Sequence, residues 1–173
     1  IPPAEGFAPF MADWQPQGPV NIGLQLALPL AVPGAQRQVQ VNVGLANNEL
    51  TLPELDLQFS GIEGKLVYHL DTGLRSENLS AEVLGGLAEV RVSAGAGAEN
   101  TGTVVELDGR TTIDDISAWE LNTPLSLALL EYAQGGLDYQ ATYRLPYVTA
   151  GDSSGSAPVA PSLSVHTDLQ DVV

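Results

Sequence analysis

A short alternation of apolar and polar residues occurs twice in this chain, 117 positions apart. Segments 18–29 and 135–146 each open on glycine, place an apolar or aromatic residue at every second position, and close on Leu-Pro. Because successive side chains of a β-strand point to opposite faces, this pattern predicts two strands that each have one dry face. The recurrence indicates a repeating β-structure in which apolar stripes lie side by side.

Most of the remaining chain keeps the same two-residue period between turn signals. A second strand is predicted over 39–45, with a hairpin turn at Asn47-Asn48 and an interruption of the next strand at Pro53. Turn signals recur about every 8–12 residues, the spacing of an antiparallel all-β domain. Only the stretch 114–134 breaks the period, and it predicts one or two short helices.

The chain divides into three predicted parts. Residues 1–150 form a β segment with the helical insert at 114–134, residues 151–160 form a solvated Gly/Ser-rich linker, and residues 161–173 begin the first strand of a following repeat. The first residue is not Met and no signal peptide precedes it, so we interpret the chain as a piece of a longer protein.

Charge and composition narrow the possible partners. Six Lys and Arg against 21 Asp and Glu give a net charge of −15, which disfavours nucleic acid and anionic bilayer surfaces. The absence of cysteine excludes disulfides and thiolate metal sites. No run approaches the roughly 18 consecutive apolar residues of a membrane-spanning helix. Apolar residues make up 44% of the chain, enough for a sizeable core.

The sequence offers no set of residues typical of catalysis. His166 and Asp168 would share one face of a strand, but two ligands are too few for a metal site. Asp114 and Asp115 stand where a helix N-terminus favours negative charge, so we predict that they cap a helix. We therefore expect a protein that is not an enzyme and uses no cofactor or metal.

Several segments spread along the chain carry a resemblance to a known family. The chain resembles the YhdP branch of the AsmA-like proteins from about Trp14 to its end. The segments that carry the resemblance are Trp14 to Gly18, Leu28-Pro29-Leu30, the run 47–55, the run 62–66 with Gly73-Leu74, Leu79-Ser80-Ala81 with Gly85, Ile116 to Trp119, Pro124-Leu125, the run 135–139, and the run 163–169.

The resemblance implies a large protein of the Gram-negative envelope, anchored in the inner membrane by an N-terminal helix. Proteins of that kind cross the periplasm as a long curved sheet and are thought to carry phospholipid between the two membranes along an apolar groove. This chain would then be an internal periplasmic section of the groove. Its partners would be phospholipid or another acyl-chain ligand and the neighbouring repeats of the same protein.

The apolar stripes could form either a closed core or the lining of a groove. From the pattern alone, a closed β-sandwich fits well, since any half-buried antiparallel sheet needs such stripes. The resemblance favours an all-β fold with a highly curved, β-taco-like antiparallel sheet that forms an apolar groove. The side chains then predicted to line the groove are Val20, Ile22, Leu24, Leu26, Leu28, Val39, Val41, Val43, Leu45, Leu55, Leu57, Phe59, Leu66, Tyr68, Leu70, Leu79, Val83, Leu137, Tyr139, Tyr143 and Leu145.

Two other functions compete with lipid conduction. A carbohydrate-binding or adhesive β-sandwich of a cell-surface protein would also tolerate the acidic surface, although only 6% of the residues are aromatic. A structural spacer would fill its apolar face with its own side chains. Trp14 and Trp119 lie outside the alternation, and they either cover the ends of the groove or pack connecting segments onto the sheet.

Overall fold

The computed structural model describes residues 13–27, 38–94, 102–119, 135–146 and 160–168. These residues form nine strands, a 3₁₀ turn at Pro53–Leu55 and a short helix, α1, at Ile113–Ala118. The strands are β1 (Gln15–Gln17), β2 (Val20–Ala27), β3 (Gln38–Leu52), β4 (Leu57–His69), β5 (Gly73–Val83), β6 (Gly86–Ala94), β7 (Gly102–Thr112), β8 (Gly136–Pro146) and β9 (Ser162–Asp168).

All nine strands belong to one antiparallel sheet. From β3 onward each strand pairs with its neighbours in sequence, and β1 and β2 pair in turn with the same edge of β3. The described residues therefore contain one open, curved sheet rather than two packed sheets. This confirms the all-β curved sheet and shows that the closed-sandwich alternative is wrong for this part of the chain.

One face of the sheet, here called the inner face, carries the apolar stripes. Cross-strand register aligns Leu79, Val90, Leu107 and Ala141 in a single row from β5 to β8, and all four are buried. Directly opposed residues point to the same side of a sheet, so this row defines the inner face. The opposite, outer face is polar and charged in the same strands.

A line of bulges crosses the first strands at one height. Register shifts separate Leu45 from Asn48 between β3 and β4, and Glu63 from Lys65 between β4 and β5. The backbone takes positive φ along this line at Gly18, Asn47, Gly61, Gly64 and Asn78. Because a bulge bends its strand and increases its twist, a row of them creases the sheet across the strands.

The prediction of a hairpin turn at Asn47-Asn48 is wrong. Asn47 does adopt a positive φ of 56°, but as a bulge inside the long strand β3, and the chain turns later, at the 3₁₀ turn. The Asn48 side chain fills the gap that the bulge leaves. Its Oδ1 accepts a hydrogen bond from the Ala46 N–H (2.8 Å) and its Nδ2 donates to the Gln17 carbonyl (3.2 Å). These bonds satisfy backbone groups that the ladder misses.

Helix α1 and Trp119 form one rim of the sheet. The helix begins at the predicted place, with Asp114 and Asp115 in its first turn, but the predicted capping role belongs to Thr112, whose hydroxyl accepts a hydrogen bond from the Asp115 N–H. The Trp119 indole then donates to the Leu55 carbonyl (2.8 Å). This contact favours the packing role for Trp119. The remainder of the predicted helical stretch and most of the predicted linker lie outside the described residues.

The sheet also curls toward its inner face. Leu52 at the end of β3 and Phe59 of β4 belong to the same buried cluster as Leu137 and Tyr139 of β8. Four strand spacings separate β4 from β8, or about 19 Å on a flat sheet. These side chains share one cluster because the sheet bends into a trough.

Candidate functional site

The trough is the candidate site, and most of its predicted lining lies on the inner face. Register opposes the stripe of β2 to that of β3, and Val41 and Val43 to Tyr68 and Leu66 of β4. Leu55 lies in the 3₁₀ turn and Leu70 in the turn after β4. Leu28 lies outside the described residues. Contact of these side chains with a lipid remains a prediction.

The β2 end of the trough is open. Its four inner-face side chains are among the most exposed apolar groups of the described residues: Val20 51%, Ile22 67%, Leu24 65% and Leu26 55%. The facing stripe of β3 is only partly buried. Four large aliphatic side chains in water on one strand form a patch that is uncommon in monomeric soluble proteins. This end of the trough therefore offers apolar surface to a partner.

A cleft of about 400 Å³ lies at the ends of β2, β3 and β4 near Ala27, Gln38 and His69, and Leu26, Val39, Leu70, Gln25, Gln40 and Asp71 also line it. Register opposes Gln25, Gln40 and His69, which alternate with the inner-face stripe and therefore lie on the outer face. The cleft is thus mainly a polar feature of the outer face.

The β5–β8 part of the trough is filled by its own side chains. Leu79, Val83, Leu107 and Leu137 are each less than a tenth exposed and belong to one apolar cluster. Leu52, Phe59 and Ile113 join this cluster, and Trp14 packs against it. The trough is thus open at β2 and the facing part of β3, and closed over β5–β8 and the ends of β3 and β4 next to the 3₁₀ turn.

Small residues form a row on the floor of the closed part. Ala81, Ala88 and Gly109 are opposed in register on β5, β6 and β7, and Tyr139 of β8 completes the row. The Tyr139 ring lies across Gly109, where a Cβ atom would stand 2.7 Å from the phenol oxygen and 2.9 Å from the Ala88 methyl. An aromatic ring that covers a cross-strand glycine is a known stabilising device of sheets. Sequence reasoning missed this row because its members carry too little apolar bulk to mark a stripe.

The Tyr139 hydroxyl is buried without a hydrogen-bond partner within the described part of the chain. The residue as a whole is 6% exposed. Burial raises the pKa of the Tyr139 phenol. Burial is also the main cause that raises the pKa of the Tyr143 phenol, and the negative charge of the Glu54 carboxylate adds to the rise. An unpartnered buried hydroxyl costs about 1–3 kcal/mol, so the buried position of the Tyr139 hydroxyl lowers the stability of the folded protein.

The raised pKa of Tyr139 predicts a loss of stability in alkali. The phenol ionises near pH 10 in the unfolded chain, whereas in the folded protein it keeps its proton to higher pH. The free energy of unfolding therefore has its full value below pH 10 and decreases as the pH rises through the folded pKa. Urea unfolding at pH 9 and pH 11 should show a smaller loss for Tyr139→Phe than for the wild type. Equal losses in the two proteins would contradict this assignment.

The outer face is built differently. Arg91 pairs with Glu89 (3.2 Å) and Asp108 (2.7 Å), and these two carboxylates raise its pKa. Within the described residues, no three His, Asp or Glu side chains are grouped so that they could hold a metal ion. The outer face of β6 and β7 is thus a solvated charged surface.

No helix among the described residues has the length and apolarity needed to cross a membrane.

Comparison with known proteins gives one match. A family model described as YhdP protein matches residues 4–172, nearly the whole chain. No curated protein and no solved structure matches the chain significantly.

Proposed function

The chain belongs to the YhdP family, and from this premise we propose that the trough binds phospholipid acyl chains and passes them along its inner face. Membership of the family fits a non-enzymatic lipid-transport protein of the Gram-negative envelope. The chain would act as an internal section of a longer protein that spans the periplasm between the inner and outer membranes.

The exposed stripe of β2 is the observation that carries this proposal. Its aliphatic side chains continue in register onto the partly buried stripes of β3 and β4 without an intervening polar row. An acyl chain laid against this surface gains about 0.8 kcal/mol for each CH₂ that it removes from water. Neighbouring positions on an aliphatic wall bind about equally well, so a chain can slide along it.

The position of the stripe suits the other end of the ligand. Within the described residues β2 pairs only with β3, so the stripe lies on an edge strand and its side chains are exposed. A phospholipid with its acyl chain against this stripe would keep its headgroup in water at the edge, and no polar group would be buried without a partner.

Both ends of the sheet leave room for neighbouring repeats. Within the described residues, β2 pairs only with β3 and β9 only with β8, so each has one unpaired edge. Unpaired edges readily accept further strands. Adjacent sections of the longer protein would extend the trough by continuing this sheet.

The described residues do not favour carbohydrate binding. Sugar sites usually present exposed aromatic side chains, whereas the exposed large apolar residues of the described segments are all aliphatic. The two-sheet architecture assumed for that alternative is also absent there.

A charge placed on the β2 stripe should abolish lipid binding and spare the fold. Leu24 is 65% exposed on the inner face, so Leu24→Asp should change the free energy of unfolding by less than about 1 kcal/mol. Because an acyl chain covering the new carboxylate would have to desolvate it, we expect crosslinking to lipid to fall about tenfold or more. The measurement is photocrosslinking to a phosphatidylethanolamine that carries a diazirine on one acyl chain.

Leu87→Asp is the matched control. Leu87 is the same residue type, is 68% exposed, and alternates with the buried Ala88, so it lies on the outer face. We expect this variant to crosslink like the wild type. An equal loss of crosslinking in both variants, or no loss in Leu24→Asp, would contradict the proposal. The proposal would also be contradicted if mass spectrometry recovers no phospholipid from the wild-type chain and the lipid probe does not label it.

A further inference from the structure

We propose that the floor row Ala81, Ala88 and Gly109 is an acyl-chain subsite, and that Tyr139 occupies it in the unliganded protein. This inference rests on the proposed function, because it assumes that acyl chains reach the inner face. It identifies the position at which the trough is blocked and the residue that blocks it.

The first argument is the shape of the row. Three consecutive strands present side chains no larger than a methyl group at one height, and register keeps them directly opposed. With strands about 4.8 Å apart, the row is a flat slot roughly 10 Å long that crosses the strands. It therefore runs in the direction along which a lipid would move through stacked strands.

The second argument is the continuity of the slot with the bulge line. On β4, residues 61 and 62 fall between the paired positions Ser60 and Glu63, opposite Ala81 on β5. Ile62 in this gap packs against the apolar cluster, while Gly61 has no heavy atom within 4 Å of the position of a Cβ. The slot thus ends at the bulge line, where the sheet is creased.

The third argument is what fills the slot. The Tyr139 ring covers Gly109, and its hydroxyl stops near the Ala88 methyl, buried and without a partner in the described residues. Tyr139 is 94% buried among apolar side chains, so its hydroxyl lacks the hydrogen bond that it would make with water. An acyl chain has no hydrogen bond to give up, so it suits the slot better than the side chain that occupies it.

The exchange follows from these three observations. When the ring leaves the slot, the hydroxyl recovers a hydrogen bond from water or from an ester carbonyl of the lipid, and methylenes replace the ring over Gly109. Tyr139 would therefore limit entry of lipid from the open part of the trough to the closed part.

Photocrosslinking with mapping of the labelled peptides tests this inference. The probe is a phosphatidylethanolamine with a diazirine at the end of one acyl chain, supplied in phosphatidylcholine vesicles to the 173-residue chain. Tyr139→Ala vacates the slot, so labelling on β5–β7 should rise relative to labelling on β2–β4. Tyr139→Phe keeps the ring but removes the orphan hydroxyl, so labelling of the slot should fall about fivefold.

Tyr143→Phe is the control, because it removes an inner-face hydroxyl of the same strand that is not an orphan, and it should label like the wild type. If Tyr139→Ala fails to fold, the fall in Tyr139→Phe decides alone. Labelling of β2–β4 in every variant with no change on β5–β7 would overturn the subsite and leave the proposed function standing. Failure to label even β2–β4 would overturn the proposed function itself.

Discussion

Replacing Gly64 with alanine should destabilise the protein by about 4 kcal/mol, a large part of the stability of a typical domain. Gly64 has φ of 132°, which side chains rarely adopt, and lies on the bulge line of β4. A Cβ there would overlap the Asn78 carbonyl oxygen and approach the Leu79 Cα to 2.7 Å. Both neighbours are backbone of β5, so relief requires the two strands to separate. Urea unfolding followed by circular dichroism measures the loss.

Gly61→Ala is the matched control three residues earlier in the same strand. Its φ of 56° is also positive, but no heavy atom lies within 4 Å of the position of a Cβ. Only the backbone penalty of the left-handed region applies, about 1–2 kcal/mol. Similar losses for the two variants would mean that close strand contact at the bulge line does not hold the crease.

The strands themselves could be predicted from the sequence because their signal is local. The predicted segment 18–29 contains β2, and the segment 135–146 contains β8, each with its apolar residues on the inner face. A strict two-residue period has one structural interpretation, since a slip of one residue would turn every apolar side chain to solvent.

The bulge line could not be predicted in the same way. Asn47 has the residue type of a hairpin turn, and the sequence around it cannot show whether the chain reverses or continues. The outcome depends on partners distant in sequence, above all the Gln17 carbonyl that Asn48 binds. Glycines at 61 and 64 likewise gain their role only from the strands beside them.

The split of the trough into an open and a closed part was equally hidden. The stripes of β2 and β8 look alike in sequence, yet Leu24 is 65% exposed and Tyr139 is 6% exposed. The difference arises because β2 pairs only with β3 at an edge of the sheet, whereas Tyr139 belongs to the cluster against which α1 and the 3₁₀ turn pack. Alternation therefore marks which face is apolar but not what covers it.

A buried charge in the closed part should unfold the protein, in contrast to the same change on β2. Leu107 is 7% exposed at the centre of the row from Leu79 to Ala141. Leu107→Asp places a carboxylate among aliphatic side chains without a partner, which we expect to cost about 5 kcal/mol or more. Leu107→Met keeps volume and polarity close to those of leucine, so it should cost less than about 1.5 kcal/mol.

Thermal unfolding of Leu107→Asp beside Leu24→Asp then tests the division of the trough directly. If the β7 floor is closed and the β2 stripe is open, Leu107→Asp is unfolded at 25 °C or melts far below the wild type. Leu24→Asp then melts close to the wild-type temperature. A folded Leu107→Asp would mean that water or a mobile ligand reaches the floor at β7, and the trough would be open along its whole length. Since the proposed role of Tyr139 requires a closed floor, that result would remove its physical basis while leaving the exposed β2 stripe as a lipid-binding surface.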